Sequence, residues 1–404
     1  MVTLQGTTST LAVQGWWPET GRTTHALIDL DAIEANVRAI RRAVSATGVI
    51  AVVKANAYGH GATMVAEAAV DAGATMLAVS TVDEGCELRD AGITAPILVL
   101  APAGPAEYDE AIRAGLTLSV AAPDQVVLAA RAARSTGRRG DVQIKVETGM
   151  NRYGCDPSAA IALGSSITAD PALRLTGVFT HFADADGADL SFTDEQTSRF
   201  GSVIASLREA GIDPGLVHHS NTAGSVRLST PVQSAVRLGI GLYGLRPDEA
   251  VPLLPGMRQA LLLRTRVAQV RRLTPGDTVS YGRTYRAKHH ETVALLPIGY
   301  ADGLRRALSG TGWVGIGDRT APIRGRVCMD QVVVGCDEAT VRVGEGVVVF
   351  GDGVGAAPTL TQVARLAGTI NYEIVTGIAH RVPRWYVRGG EPVAVLRGGR
   401  LRRL

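Results

Sequence analysis

The sequence predicts an α/β fold, an N-terminal (β/α)8 TIM barrel followed by a mainly β C-terminal domain. Eight short Val/Ile/Leu runs recur between residues 49 and 240, and Ala-rich segments with helical spacing lie between most of them. Buried strands alternating with helices over such a length fit a closed barrel. An open doubly wound sheet is the other arrangement of the same elements, but it usually carries a Gly-rich GxGxxG first turn, and none follows the first strand. After Pro255 the texture changes to strand-like runs separated by turn signals. The expected divisions are an extension at 1–23, the barrel at 24–258 and a β-rich domain at 259–404.

Taken in order, Ala26–Leu30 is an apolar run ending at Asp31, followed by a helical pattern at 33–44. The predicted barrel strands are Val49–Val53, Met76–Ser80, Ile97–Leu100, Leu116–Val120, Val142–Val146, Leu175–Thr180, Leu216–His219 and Val236–Ile240. The helical segments are Ala62–Ala72, Val82–Ala91, Pro105–Ala114, Pro123–Ser135, Pro157–Ser166 and Asp194–Ala210. Several begin with Thr, Asp or Pro, residues that suit a helix start. Beyond residue 258 the strand-like runs are Leu261–Val270, Thr292–Pro297, Trp313–Ile316, Gln331–Val334, Val347–Phe350 and Val393–Leu396, with one helix at Leu360–Ala367. Turns are expected at Pro275-Gly276-Asp277 and Gly351-Asp352-Gly353.

Composition excludes several classes. A net charge of +3 over 404 residues gives no broad basic face. The Arg397, Arg400, Arg402, Arg403 cluster reads as a solvated tail, and no nucleic-acid partner is expected. The apolar runs fall short of the ~20 residues that a membrane span needs. No basic flank precedes an apolar core at the N-terminus, so no secretory signal and a cytoplasmic location are expected. The four cysteines, Cys86, Cys155, Cys328 and Cys336, have neither CxxC spacing nor a metal-site pattern. A disulfide framework and a bound metal are therefore not expected. Residues 1–22, with Trp16-Trp17-Pro18, read as an extension that packs on something or frays.

The chemistry gathers at strand ends. The chain has three lysines, Lys54, Lys145 and Lys288, against 38 arginines. An amine at the mouth of an apolar strand shifts its pKa readily and serves as a nucleophile, which arginine does not. On spacing alone, Lys54 reads equally as a strand-end lysine reaching for solvent. Other polar residues at predicted strand ends are Lys145 and Glu147, His181, the His219-Ser220-Asn221-Thr222 run, and Arg237 with Gly239. Five such ends converging on one barrel mouth suggest a site. Lys145 and Glu147 also admit a plain buried pairing.

Val52-Val53-Lys54-Ala55-Asn56-Ala57-Tyr58-Gly59-His60-Gly61 resembles the cofactor-lysine motif of the alanine racemase family, enzymes dependent on pyridoxal 5′-phosphate (PLP). Lys145-Val-Glu-Thr-Gly-Met-Asn-Arg152, Thr180-His181-Phe182, Val217-His218-His219-Ser220-Asn221-Thr222 and Arg237-Leu-Gly239-Ile240 resemble its later barrel motifs. Val279-Ser280-Tyr281-Gly282, Ile298-Gly299-Tyr300 with Arg306, Cys328-Met329-Asp330 and Asn371-Tyr372 resemble its C-terminal motifs. The resemblance spans about residues 24–390 and implies a PLP-dependent racemase, most simply of alanine, supplying D-alanine for peptidoglycan.

By that resemblance Lys54 and Tyr281 are the two catalytic bases. Lys54, Tyr58, His181, Asn221, Thr222, Arg237, Gly239, Ile240 and Tyr372 bind the cofactor. Arg152, Met329, Tyr300 and Arg306 face the substrate, and Lys145 is carbamylated. The family pattern further implies a homodimer in which Tyr281, Tyr300, Met329 and Arg306 complete the partner's site. An arginine facing the pyridine nitrogen cannot hand it a proton, which favours racemisation over transamination. Three readings compete: a broader or serine racemase of the same family, a PLP decarboxylase on the same barrel, and a non-enzymatic PLP carrier. The decarboxylase expects an acid where Arg237 stands, and the carrier expects no second domain.

Overall fold

The computed structural model describes residues 17–19, 21–44, 48–228, 233–336, 341–351 and 355–404. They form two compact units. One comprises Ala32–Ala57 and Ala62–Arg258; the other joins the described residues up to Asp31 with Tyr58–Gly61 and Gln259–Leu404.

The first unit is a closed eight-stranded barrel. With β1 as His25–Asp29, its strands are β2 Gly48–Val52, β3 Met76–Val79, β4 Ile97–Val99, β5 Thr117–Val120, β6 Gly140–Lys145, β7 Leu173–Phe179, β8 Leu216–His218 and β9 Ala235–Leu238. Parallel pairing of β2 with both β3 and β9 closes the ring, Gly48 opposite Ala235 and Ile50 opposite Met76. Such strands are covered on both faces, which is why β2 to β4 are unbroken apolar runs. Local chemistry sets the helix bounds. Thr81 and Glu84 form a reciprocal capping box on Val82–Asp90. Pro123 opens the helix Pro123–Thr136, and Gly137 closes it in the left-handed conformation.

The second unit is built on an eight-stranded sheet. Its order is Arg319–Pro322, Trp313–Ile316, Gly346–Phe350, Leu261–Arg266, β1, Arg384–Arg388, Glu391–Arg397 and Arg400–Arg403. Here the sequence-drawn boundary at residue 24 shifts. β1 pairs antiparallel with Leu261–Arg266 and parallel with Arg384–Arg388, so it belongs to the C-terminal sheet. The supposed basic tail is also corrected. Arg400–Arg403 pairs with Glu391–Arg397 as the sheet's edge strand, where exposed arginines discourage further strand addition. The run read as Leu261–Val270 is two strands, Leu261–Arg266 and Gln269–Leu273, in different sheets. The helix Leu360–Ala367 lies as expected, and a second, Asn371–Thr376, follows it. At Pro275-Gly276-Asp277 the turn forms, Asp277 Oδ2 accepting from the Thr274 amide at 2.7 Å. Asp352 and Gly353 of the other turn, and Trp16 of the extension, lie outside the described residues. Trp17 does pack: the Arg264 and Arg266 guanidinium carbons lie 4.0 and 4.3 Å from its ring centroid.

Candidate active site

Lys54 follows β2 and opens a turn of opposite hand to an ordinary helix. Ala55, Asn56, Ala57 and Tyr58 all have φ near +50°, and the Ala57 amide donates to the Val53 carbonyl at 2.8 Å. A left-handed turn costs roughly 1–2 kcal/mol for each non-glycine residue, so neighbours must impose it. Within the barrel, Glu84 accepts from the Ala55 amide at 2.6 Å and from the Ser80 amide at 2.7 Å. Asn56 Oδ1 accepts from the Ala62 amide at 2.8 Å. Strain at such a place is a common mark of a functional position. Burial, and then Arg152, push the Lys54 amine below its ordinary pKa, while Glu84 acts in the other direction. The amine thus loses its proton more readily than an exposed lysine.

Lys145 ends β6. Its Nζ lies 5.5 Å from the Tyr153 ring centroid and 5.7 Å from that of Phe179. Burial, then Arg237 and Arg152, lower its pKa to about 8. The simple Lys145–Glu147 pair is not what forms. Glu147 accepts from the Gly149 amide at 2.6 Å and the Arg152 amide at 3.3 Å, closing its own loop. That loop is pinned where the Glu147 amide donates to the Cys155 carbonyl and the Cys155 amide donates to the Lys145 carbonyl, each at 2.8 Å, and it presents Arg152 at its exposed tip.

Arg237, on β9, is 2% exposed yet has no carboxylate among its hydrogen-bond partners in the described residues. Nη1 donates to His218 Nδ1 at 2.7 Å; Nη2 donates to His181 Nδ1 at 2.9 Å and to the carbonyls of Thr180 and His219 at 2.7 and 2.8 Å. A guanidinium only donates, so both histidines must be neutral with the proton on Nε2. His218 Nε2 then donates to Gln143 Oε1 at 2.9 Å. Burial first, and Arg237 second, hold both imidazoles well below their usual pKa. Burial also pushes Arg237 down to about 9, leaving it a cation at neutral pH. His218 and Gln143, which the sequence reading did not single out, extend the hydrogen-bond chain from Arg237. Their signal was a polar residue inside the apolar β6 run and a histidine doublet at the end of β8.

Thr222 Oγ1 accepts from the amides of Gly239 and Gly241 at 3.1 and 3.2 Å. Asn221 caps the short helix Thr222–Arg227 by accepting from the Gly224 amide at 3.0 Å. A Cβ on Gly241 would stand 2.7 Å from Thr222 Cγ2, so Thr222 and the turn after β9 approach this closely only because glycine is there. Ile240 opens the adjoining 3-10 turn.

The remaining sequence-predicted residues lie in the second unit. The Tyr58 and Tyr372 ring centroids are 6.1 Å apart. Tyr281, Met329 and Tyr300 are 72%, 52% and 42% exposed, although their backbones are tightly held. Ser280, at φ 66°, donates to the Arg326 carbonyl at 2.7 Å. The amides of Tyr300 and Ala301 donate to the carbonyls of Cys328 and Met329 at 3.0 Å. Arg306 stands exposed on the next short turn. A cavity of about 570 Å3 in this unit is lined by none of these residues; at its Glu291 the carboxylate is already taken by Arg324 and Tyr285.

Residues 28–247 match the family described as alanine racemase, N-terminal domain, and residues 260–386 match alanine racemase, C-terminal domain. The chain is similar to the alanine racemase of Symbiobacterium thermophilum, with 42% identity over 92% of this chain and 98% of that protein. It is 40% identical to that of Mycobacterium tuberculosis over 91% of this chain and 96% of the other. Among solved structures it resembles the Bacillus anthracis alanine racemase with bound L-Ala-P, at a TM-score of 0.88 and 40% identity, covering 94% of this chain and 99% of that one.

Proposed function

The chain belongs to the alanine racemase family, and on that premise we propose that it interconverts L- and D-alanine with PLP. The observation that carries the reading is Arg237, a buried cation held by neutral acceptors at the end of a barrel strand. The residues present fit PLP. Lys54 offers an amine of depressed pKa, and Thr222, whose Oγ1 accepts from the Gly239 and Gly241 amides, offers its own O–H to a phosphate. Lys54, Lys145, Arg152 and Arg237 make an electropositive setting for two anions, the phosphate and a substrate carboxylate.

Lys54 would hold the cofactor through Nζ, Arg237 would face its ring nitrogen with His181 behind, and Asn221, Thr222, Gly239, Ile240, Tyr58 and Tyr372 would hold its phosphate end. When bound, PLP supplies a conjugated ring that accepts the electron pair released as the Cα–H bond breaks. Arg152 binds the substrate carboxylate in a two-pronged contact. Lys54 Nζ takes or gives the Cα proton on one face, and Tyr281 Oη does so on the other. Because Arg237 keeps its own proton, the ring nitrogen gains none, and return of the proton to Cα is favoured over transfer elsewhere.

Lys145 is a carbamate in this reading. Its neutral amine adds to CO2, an N–C bond forms and a proton leaves, giving an anion to orient Arg152. The pKa of about 8 supports this, because it leaves a usable neutral fraction near neutrality. The enzyme acts as a homodimer in which Tyr281, Tyr300, Met329 and Arg306 serve the partner's barrel. It works in the cytoplasm and supplies D-alanine for peptidoglycan. No described helix is long and apolar enough to cross a membrane.

The test is a panel of L-amino acids incubated with PLP-loaded protein and read by chiral chromatography. D-alanine should appear first. Equal conversion of serine would make this a broad racemase, and a yellow protein that converts nothing would favour the carrier reading.

A further inference from the structure

The geometry points to Arg22 as a positioning residue for the turn that carries Tyr300, acting through Asp302 and thereby shaping how substrate is received. This rests on the reading of Tyr300 and Met329 as substrate-facing. Arg22 precedes the stretch that matches the family, residues 28–247. Its Nη1 lies 2.7 Å from Asp302 Oδ1, and the Asp302 side chain is completely buried. Asp302 Oδ2 accepts from the Gly299 amide at 3.0 Å, closing the turn 299–302 around Tyr300. The Asp302 carbonyl accepts from Ala379 at 3.2 Å, so the residue is held from both sides.

The arrangement continues. Arg381 Nε shares Asp302 Oδ1 at 2.7 Å, and its Nη2 reaches Asp330 Oδ1 at 2.7 Å. Arg22, Asp302, Arg381 and Asp330 thus alternate in charge and bracket the two segments carrying Tyr300 and Met329. Those segments have no slack. A Cβ at Gly299 would collide with the carbonyl oxygens of Cys328 and Met329, and one at Gly303 would stand 2.6 Å from the Gly377 carbonyl oxygen. Burial on its own would raise the Asp302 pKa, but Arg22, Arg381 and the Gly299 amide outweigh it and hold the carboxyl below its usual value.

Without Arg22, a buried carboxylate would keep the Gly299 amide but have Arg381 as its one remaining cationic partner among the described residues. Arg381 is 42% exposed on its side chain and also serves Asp330. Two acids would then compete for one guanidinium, and both segments would loosen together. A loosened entrance weakens reception of substrate while leaving the proton-transfer groups in place. The expected signature is therefore a change in KM more than in kcat.

The experiment compares full-length wild type with Arg22→Met and Arg22→Lys, by amide hydrogen exchange of the 299–303 and 328–330 segments and by alanine racemisation kinetics. Arg22→Met should exchange about tenfold faster in these segments and raise KM about three- to tenfold, as loss of one charge-assisted hydrogen bond implies. Its kcat should stay within about twofold. Arg22→Lys, which keeps a charge on Asp302, should recover most of both. Unchanged exchange, or faster exchange with unchanged KM, or a fall in kcat alone, would each overturn the inference. A wild type that racemises no amino acid would overturn the functional reading instead, and exchange would then decide whether Arg22 holds the turn.

Discussion

The barrel and the C-terminal unit prepare their functional groups in opposite ways. In the barrel the side chains themselves are fixed and tuned. Arg237 is buried under neutral acceptors, and Lys54 and Lys145 are shifted by desolvation and by neighbouring cations. In the C-terminal unit the backbone is fixed and the side chains are open. Tyr281 is 72% exposed on a turn whose Ser280 is locked to Arg326. The difference suggests that the barrel carries a complete electrostatic setting, whereas the C-terminal groups acquire theirs only when something covers them.

The largest expected effect tests the barrel side. Lys54→Ala should abolish racemisation, and the visible absorbance of bound cofactor should be lost with it. A yellow, active Lys54→Ala protein would refute the assignment of Lys54 and, with it, the claim that the barrel holds the tuned base.

The next tests what covers the other side. If Tyr281 serves a partner's barrel, mixing inactive Lys54→Ala and Tyr281→Ala proteins should restore activity. With random exchange half the dimers are mixed, and each has one intact site, so about a quarter of all sites recover. Were both bases drawn from one chain, every site would keep one defect. No recovery despite proven subunit exchange would then break the comparison at its open side.

Much of this was legible in the sequence, and the gaps have physical causes. The barrel strands stand out because parallel strands covered on both faces must be apolar, so Val49–Val53 or Ile97–Leu100 cannot be mistaken for surface. β1 was legible as an apolar run but not as a strand of the C-terminal sheet. Its partners Leu261–Arg266 and Arg384–Arg388 are remote in the chain, and an apolar run does not say with what it pairs. Arg400–Arg403 was misread because an edge strand needs little apolar surface and its arginines resemble a tail. The left-handed turn after Lys54 was invisible, since Ala-Asn-Ala-Tyr has no residue that demands it; Glu84 imposes it on the Ala55 amide from another element. His218 was missed because its role depends on which way Arg237 reaches across β8.

A third prediction measures how strongly the barrel tunes Lys145. Its folded pKa, about 8, lies below the unfolded value of 10.5. Between these the unfolded chain binds more protons, so stability should rise with pH across that window and be flat below about pH 8. In CO2-free buffer the wild type should gain on the order of 3 kcal/mol relative to Lys145→Met between pH 8 and 10.5. Added CO2 should reduce this slope and give a labile mass increase on Lys145. A slope identical in both proteins would mean that the amine is not desolvated, and the barrel would be no more tuned than the open side.

The smallest effect tests whether the barrel's side-chain fixing is bought with backbone strain. Ala55 is exposed and has φ 52° and ψ 50°. Its methyl group makes the left-handed conformation costly by roughly 1–2 kcal/mol, which glycine avoids. Glycine in turn gives the unfolded chain more freedom, worth about 0.4–1 kcal/mol against folding. Ala55→Gly should therefore stabilise the protein by about 0.5–1 kcal/mol. Ala162 is the control: it is also exposed but sits in the right-handed helix Ala160–Ala169. There the same substitution has no strain to relieve and should destabilise by about 1 kcal/mol. Denaturant midpoints of the two variants should move in opposite directions from wild type with unchanged slopes. If both fall together, the turn after Lys54 is not strained. Glu84 would then merely cap a relaxed backbone, and the burial of Lys54 would need no compensation from its neighbours.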